Sequence, residues 1–283
     1  MDRRQLYADV TSQVVAQIEA GAGQWRMPWH AIADAGEPVN ALTGNAYRGG
    51  NHVVFGMVAV ARGWSGHWST YKQWRELGAQ VRRGERATRG VKWSRVEDKR
   101  TGEDRMVPFC FSVFSAEQVD GWEAPAPVVR DTPERIAAAD AFFSAIGADV
   151  RHGGNRAAYV PVGDYITLPD LDQFERASDY YATSAHEHGH WTGHGSRLAR
   201  DLSVRFGTDA YAAEELIAEL SSAFTCARLG ISATPRPDHA AYLASWLRVL
   251  RADSSALFHA ASKAQAATDY LAERASVSME VAA

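Results

Sequence analysis

The stretch Ser184 to Gly195, SAHEHGHWTGHG, constrains this chain more than any other. Within it His186, Glu187 and His190 spell H-E-x-x-H. On a helix, residues four apart share a face, so both imidazoles reach one ion. Glu187 then sits beside the open coordination position, where a carboxylate can take a proton from the attacking water. The fold must place a helix here and bring a further ligand to it from elsewhere. The bland alternative is an exposed amphipathic helix rich in histidine.

A catalytic zinc takes three protein ligands and a water. The extended pattern H-E-x-x-H-x-x-G-x-x-H fails: Gly193 fits its glycine, but the last position is Ser196, and no methionine follows before Met279. A carboxylate from a later helix fits better. In Ala213-Glu214-Glu215-Leu216-Ile217-Ala218-Glu219, Glu215 and Glu219 share one face, so Glu215 is the candidate ligand. Glu219 is then the acceptor for the outer nitrogen of a ligating imidazole. Glu214 points roughly 100° away from Glu215 and is the weaker candidate. His188 falls on the wrong face and reads as a surface or supporting residue, while His194 reads as a packing or capping residue near the cleft. Zinc is the expected metal, with manganese or cobalt suited to the same ligands.

The 283 residues suffice for two modest domains. No apolar run approaches a membrane span, no apolar signal-peptide core follows the N-terminal charges, and two cysteines make no disulfide framework. These features predict a cytoplasmic protein without a membrane partner. The net charge of −4 hides an asymmetry: residues 1–120 hold 16 Lys/Arg against 13 Asp/Glu, and seven of the nine tryptophans lie in the first 122 residues.

Apolar residues at Leu6, Val10, Val14 and Ile18 predict a first helix, and His52–Ala61 a second. Thr70–Leu77 reads as part helical, and residues 81–93 as two short strands around a glycine turn. DKRTGED (98–104) reads as a hairpin tip, with Met106–Phe114 returning. GWEAPAPVVRDTP is the linker candidate. The expected division is residues 1–122, a linker over 123–133, and residues 134–283. Thr132 can cap a helix with Pro133 in its first turn. Short strands follow at 158–162 and 165–168, Ser178 or Asp179 caps the motif helix, and helices near 210–229, 237–251 and 254–274 complete the chain.

Residues 72–105 carry 11 Lys/Arg against 6 Asp/Glu. Cations neutralise phosphates and aromatic faces stack on unpaired bases, a combination suited to single-stranded nucleic acid. Candidate stacking residues are Trp64, Trp68, Tyr71, Trp74 and Trp93; candidate phosphate contacts are Arg48, Lys72, Arg82, Arg83, Arg86 and Lys92.

Across nearly its whole length the chain resembles the ArdC antirestriction proteins of conjugative plasmids. The resemblance runs through Tyr47-Arg48-Gly49-Gly50-Asn51, Trp68-Ser69-Thr70-Tyr71-Lys72-Gln73-Trp74 and Leu77-Gly78-Ala79-Gln80-Val81-Arg82-Arg83-Gly84-Glu85. It continues through Tyr165-Ile166-Thr167-Leu168-Pro169, the H-E-x-x-H stretch, Tyr211-Ala212-Ala213-Glu214-Glu215-Leu216 and His239 to Leu247. His188 stands where the family has an apolar residue. The resemblance implies an N-terminal domain that binds single-stranded DNA, a C-terminal zincin-like metallopeptidase domain, and protection of incoming plasmid DNA from restriction.

The expected architecture is α+β: a small mixed nucleic-acid-binding domain followed by a mostly helical zincin-like domain with a small sheet. The expected partners are single-stranded DNA and a protein or peptide substrate. Segment Tyr165–Leu168 is the expected edge strand for an extended peptide. Two rivals are a DNA-shielding protein with a structural metal and a protease for proteins crosslinked to DNA. A DNA mimic needs a dense acidic surface, which the basic N-terminal part excludes.

Overall fold

The structure, a computed structural model, describes residues 3–20, 31–32, 36–97, 103–125, 129–202, 208–232 and 239–282. Helix α1, Arg3–Ala20, buries Leu6, Val10, Val14 and Ile18, the four residues whose spacing predicts it. Strand β1 is Val39–Asn40, and helix α2, Gly50–Arg62, ends at Gly63 in a left-handed conformation. Strand β2 is His67–Ser69. Helix α3, Tyr71–Glu76, starts in a reciprocal cap between Thr70 and Gln73.

The strands that follow correct one expectation. Gln80–Val81 (β3) and Thr88–Glu97 (β4) do not pair with each other. β4 runs antiparallel to β5, Asp104–Ser115, in register from Thr88 opposite Val113 to Glu97 opposite Asp104. β3 pairs with β6, Val119–Asp120. The tip expected at 98–104 lies mostly outside the described residues. The larger sheet has the order β1-β2-β5-β4, and the distal part of β4–β5 projects from it as an exposed ribbon.

Helix α4, Pro133–Ile146, begins at Thr132, whose hydroxyl accepts from the Arg135 amide, and ends at Gly147. Strands β7 (Asp149–His152), β8 (Ala158–Val160) and β9 (Tyr165–Leu168) form a second sheet of order β7-β9-β8. β9 is therefore central, parallel to β7 and antiparallel to β8, and the edges are β7 and β8 rather than Tyr165–Leu168. The motif helix α5, Ala177–Trp191, has Arg176 at its N-cap with no side-chain cap; Asp179 instead pairs with Arg176 at 2.7 Å. Helix α6, Asp209–Leu229, runs from Thr208, whose hydroxyl accepts from the Tyr211 amide, to Gly230. Helices α7 (His239–Ala252) and α8 (Ala256–Ala282) follow.

The molecule is mixed α+β and about half helical. Helix α6 is its axis, with residues buried on nearly every side against α5, α7 and α8. A helix buried all round is normally apolar, yet this one buries Glu214, Glu215 and Glu219. One core cluster runs from α1 and α2 into the C-terminal helices, with Tyr7 stacked on Phe258 and His52 packed against Phe224. No described helix is long and apolar enough to cross a membrane.

Candidate metal centre and nucleic-acid face

Helices α5 and α6 meet where one of them lacks a side chain. A Cβ on Gly189 would stand 3.2 Å from the Ala218 Cα and 3.3 Å from the Ser221 Cβ, so glycine sets the helix separation. The Ser222 hydroxyl donates to the Ala182 carbonyl across the same seam at 2.9 Å. At that separation the acids of α6 reach the histidines of α5.

His186 Nε2 and His190 Nε2 face each other at 3.1 Å. The Glu215 carboxylate lies 3.5 Å from the first and 3.4 Å from the second. Among the described residues these three form a group whose donor atoms all lie within 4.8 Å of one another. On the outer side, His186 Nδ1 lies 3.0 Å from Glu219 and His190 Nδ1 lies 3.2 Å from Glu214. Arg200 holds Glu214 through two contacts of 2.9 and 2.8 Å and also donates to the Gly189 carbonyl and the Thr192 hydroxyl.

The donor set fits a divalent cation. Two ring nitrogens converge on a carboxylate, and each imidazole is oriented by an acid on its other nitrogen, the arrangement that fixes ligating histidines. The electrostatics point the same way. Burial acts to lower the His190 pKa, but Glu215 and Glu214 outweigh it and push it up to about 10. Burial would raise Glu215, yet the two imidazoles hold it well below the usual carboxylate range. Three buried carboxylates around this point favour positive charge there.

Glu187 is buried, and its Oε2 accepts from the Tyr159 backbone N–H at 2.8 Å. The edge strand β8 therefore holds it in place. Glu187, His186, His190 and Glu215 line one cavity of about 530 Å³, with Phe174 and Tyr211 among its walls. Tyr159, Asp164 and Arg197 brace the loop beyond β8: the Tyr159 hydroxyl donates to Asp164 and the guanidinium of Arg197 pairs with the same acid. Arg197 also lies over the Trp191 ring at 3.9 Å.

Two residues beside the donor group acquire definite partners here. His188, read as a surface or supporting residue, is fully buried: Nδ1 donates to the Ser184 carbonyl at 2.8 Å, the ring packs against Phe143, and burial lowers its pKa to about 4. It packs as an apolar residue would, against Phe143 and Trp191. Glu214 serves the outer nitrogen of His190, a role the helical-face argument had assigned to Glu219 alone; the adjacent pair Glu214-Glu215 was the available signal. His194 Nδ1 engages Ser196 within the following loop and is half-buried.

The basic region divides by burial. Trp68 and Trp74 are 0% exposed, and the Trp74 indole donates to the Phe114 carbonyl, so neither can stack on a base. Both belong to the core because β2 and α3 turn their apolar side inward. Trp64 is partly buried beneath Arg62. Arg82 is tied to the carbonyls of Val119 and Glu117 and to Glu85, and Arg48 pairs with Asp269. Tyr71, Lys72, Arg83, Arg86, Lys92 and Trp93 remain on the surface. The ribbon adds Arg95, Met106 and Phe109, which the sequence reading did not single out.

Residues 4–121 match the family described as the N-terminal domain of anti-restriction factor ArdC, and residues 137–263 match a zincin-like metallopeptidase family. The Sinorhizobium fredii protein y4eC is 45% identical, over 94% of this chain and 91% of its own length. The Escherichia coli DNA primase TraC is 38% identical over 95% of this chain, which spans only 27% of TraC. The metal-free crystal structure of the antirestriction ArdC protein from plasmid R388 superposes with a TM-score of 0.81 at 41% identity, covering 96% of this chain and 98% of that one. Its Mn(II)-bound form gives 0.80 at 39% identity, over 97% and 98%.

Proposed function

The chain belongs to the ArdC antirestriction family, and from that premise we propose that it binds single-stranded DNA and hydrolyses peptide bonds at a single metal centre, protecting incoming plasmid DNA from host restriction. The division of labour follows the expected boundary: residues 1–122 hold DNA, residues 134–283 carry the hydrolytic site, and 123–133 join them. His186, His190 and Glu215 hold the ion, and Glu187 is the general base. Zinc is the expected occupant, although a relative of the same fold binds Mn(II).

The observation that supports this reading most is the convergence of three donor atoms with Glu187 in one cleft beside an edge strand. The bound ion would polarise a carbonyl and acidify water. Glu187 takes a proton from the attacking water and passes it to the leaving amine, and the Tyr159 amide keeps its carboxylate oriented meanwhile. The substrate backbone lies extended along the outer side of β8, where Tyr159 faces the cleft rather than β9. Glu214 and Glu219 hold the imidazoles at the required angle, and Arg200 keeps Glu214 charged in its buried position. On the other part, Tyr71 and Trp93 stack on bases while Lys72, Arg83, Arg86 and Lys92 neutralise phosphates.

The test compares wild type with Glu187→Gln, after both are shown to bind metal equally. General acid–base catalysis supplies roughly 10²–10⁴-fold, and peptide hydrolysis should fall by that factor. If hydrolysis is unchanged, the catalytic part of the reading is wrong. Protection of single-stranded DNA from a restriction enzyme is measured in parallel. Loss of protection in the variant makes hydrolysis part of antirestriction; full protection assigns antirestriction to DNA binding alone.

A further inference from the structure

The N-terminal part does not close its own DNA surface. At the foot of the β4–β5 ribbon lies a cavity of about 340 Å³ whose near wall includes Trp93 and Asn51 and whose far wall is helix α8, through Ser262, Gln265 and Ala266. Trp93 is 46% exposed, unlike the buried tryptophans of β2 and α3. The floor is aromatic, with Tyr7 and Phe258 stacked at 3.9 Å. The rim carries Arg48, paired with Asp269 of α8 where both side chains meet solvent.

We propose that this cavity takes one unpaired nucleobase, stacked on Trp93 and walled by α8, so that the DNA path crosses from the N-terminal part onto the C-terminal helix. This rests on the single-stranded DNA reading above and adds a site to it. A flat aromatic face, the Ser262 hydroxyl on the opposite wall and a guanidinium at the mouth match the three parts of a nucleotide, ring, base edge and phosphate, while the Gln265 amide on that wall accepts from the Gly49 N–H and donates to Asp269. The ion pair at the rim is a latch of low cost. Exposed pairs contribute little, so Arg48 can exchange Asp269 for a phosphate.

The ribbon continues the track. Alternate residues of a strand share a face, so Arg95 follows Trp93 on the same side, two residues further out. Asn51 fixes the angle of the stacking strand, because its side chain donates to the Val91 carbonyl and accepts from the Val91 amide at 2.8 and 2.9 Å. A base held here touches the helix that packs against α6, the helix bearing the three acids of the cleft.

The test fills the cavity from its far side. Ala266 is an exposed position of α8, outside both the ribbon and the cleft. Ala266→Trp and Trp93→Leu are each titrated with a fluorescein-labelled single-stranded oligonucleotide, with Ser262→Tyr as an independent filling variant. Unchanged metal stoichiometry and melting temperature establish that each variant is folded. Stacking contributes about 1–3 kcal/mol per base, or roughly 5- to 150-fold in affinity. Both filling variants should weaken binding within that range, and the double variant Trp93→Leu/Ala266→Trp should be no weaker than the worse single one. If wild type binds the oligonucleotide and filling variants bind equally well, the cavity is not a base site, while the DNA reading stands. If wild type does not bind it, the DNA reading falls and this inference with it.

Discussion

In the cleft between α5 and α6, Glu214, Glu215 and Glu219 each face a histidine and are almost shut off from water. On the β4–β5 ribbon, Lys92, Trp93, Arg95 and Phe109 stand in solvent. The two regions use charge in opposite ways. In the cleft each polar group depends on its neighbours, because a buried charge that loses its partner keeps its desolvation cost. On the ribbon, if it binds DNA as proposed, the charges would act nearly independently, through counterion release from a phosphate chain. Substitutions in the cleft should therefore be severe and coupled, whereas those on the ribbon should be small and additive.

The strongest attempt to break that contrast is Glu215→Ala. Removing an outer partner of a ligating histidine costs roughly 10- to 100-fold in metal affinity, and removing a direct ligand should exceed that. Metal content after dialysis should fall from one ion per chain to almost none. Arg200→Leu comes next. Its guanidinium and the Glu214 carboxylate are 6% and 9% exposed, so breaking the pair should destabilise by about 3–5 kcal/mol in urea unfolding. A ribbon-like cost below about 1 kcal/mol would mean that the cleft is not cooperative.

The seam between the two parts offers a third measurement. His52, buried against Phe224, has its pKa lowered by burial from 6.5 to about 3. The folded state thus binds fewer protons than the unfolded one below pH 6.5, and stability falls as pH falls toward 3. Each unit is worth about 1.4 kcal/mol, so between pH 7 and pH 5 wild type should lose about 2 kcal/mol relative to His52→Gln. Equal pH profiles would show that the seam opens without unfolding. Glu219→Gln should weaken metal binding by roughly 10- to 100-fold by competition with a chelator. The smallest effects belong to Arg83→Ala and Lys92→Ala. Each should lower the slope of log affinity against log salt by about 0.7, and the two together by about twice that.

The cleft was legible in sequence because helical period is simple arithmetic. Spacing of four puts His186 and His190 together, and the same spacing pairs Glu215 with Glu219. The arithmetic failed where orientation mattered. The two imidazoles turn their outer nitrogens to different sides of α6, so Glu214 has a partner even though it lies off the shared face. Strand order was illegible for another reason: Tyr165–Leu168 carries the alternation of a strand, but only pairing places it in the middle of its sheet. Burial decided the tryptophans. Trp74 stands among Lys72, Gln73, Arg75 and Glu76 on a short helix, and that isolation is itself a sign of an inward-facing residue.

Gly189 gives the cleft its tolerance. Adding one methyl group there would require the facing helix to retreat by a few tenths of an ångström. Metal–ligand distances hold to about ±0.2 Å, so the clearance of a single hydrogen atom is comparable to the tolerance of the site. If the cleft holds an ion as proposed, Gly189→Ala should loosen the grip on it while leaving both histidines and every acid in the sequence. The glycine between His186 and His190 thus sets the gap between the helices.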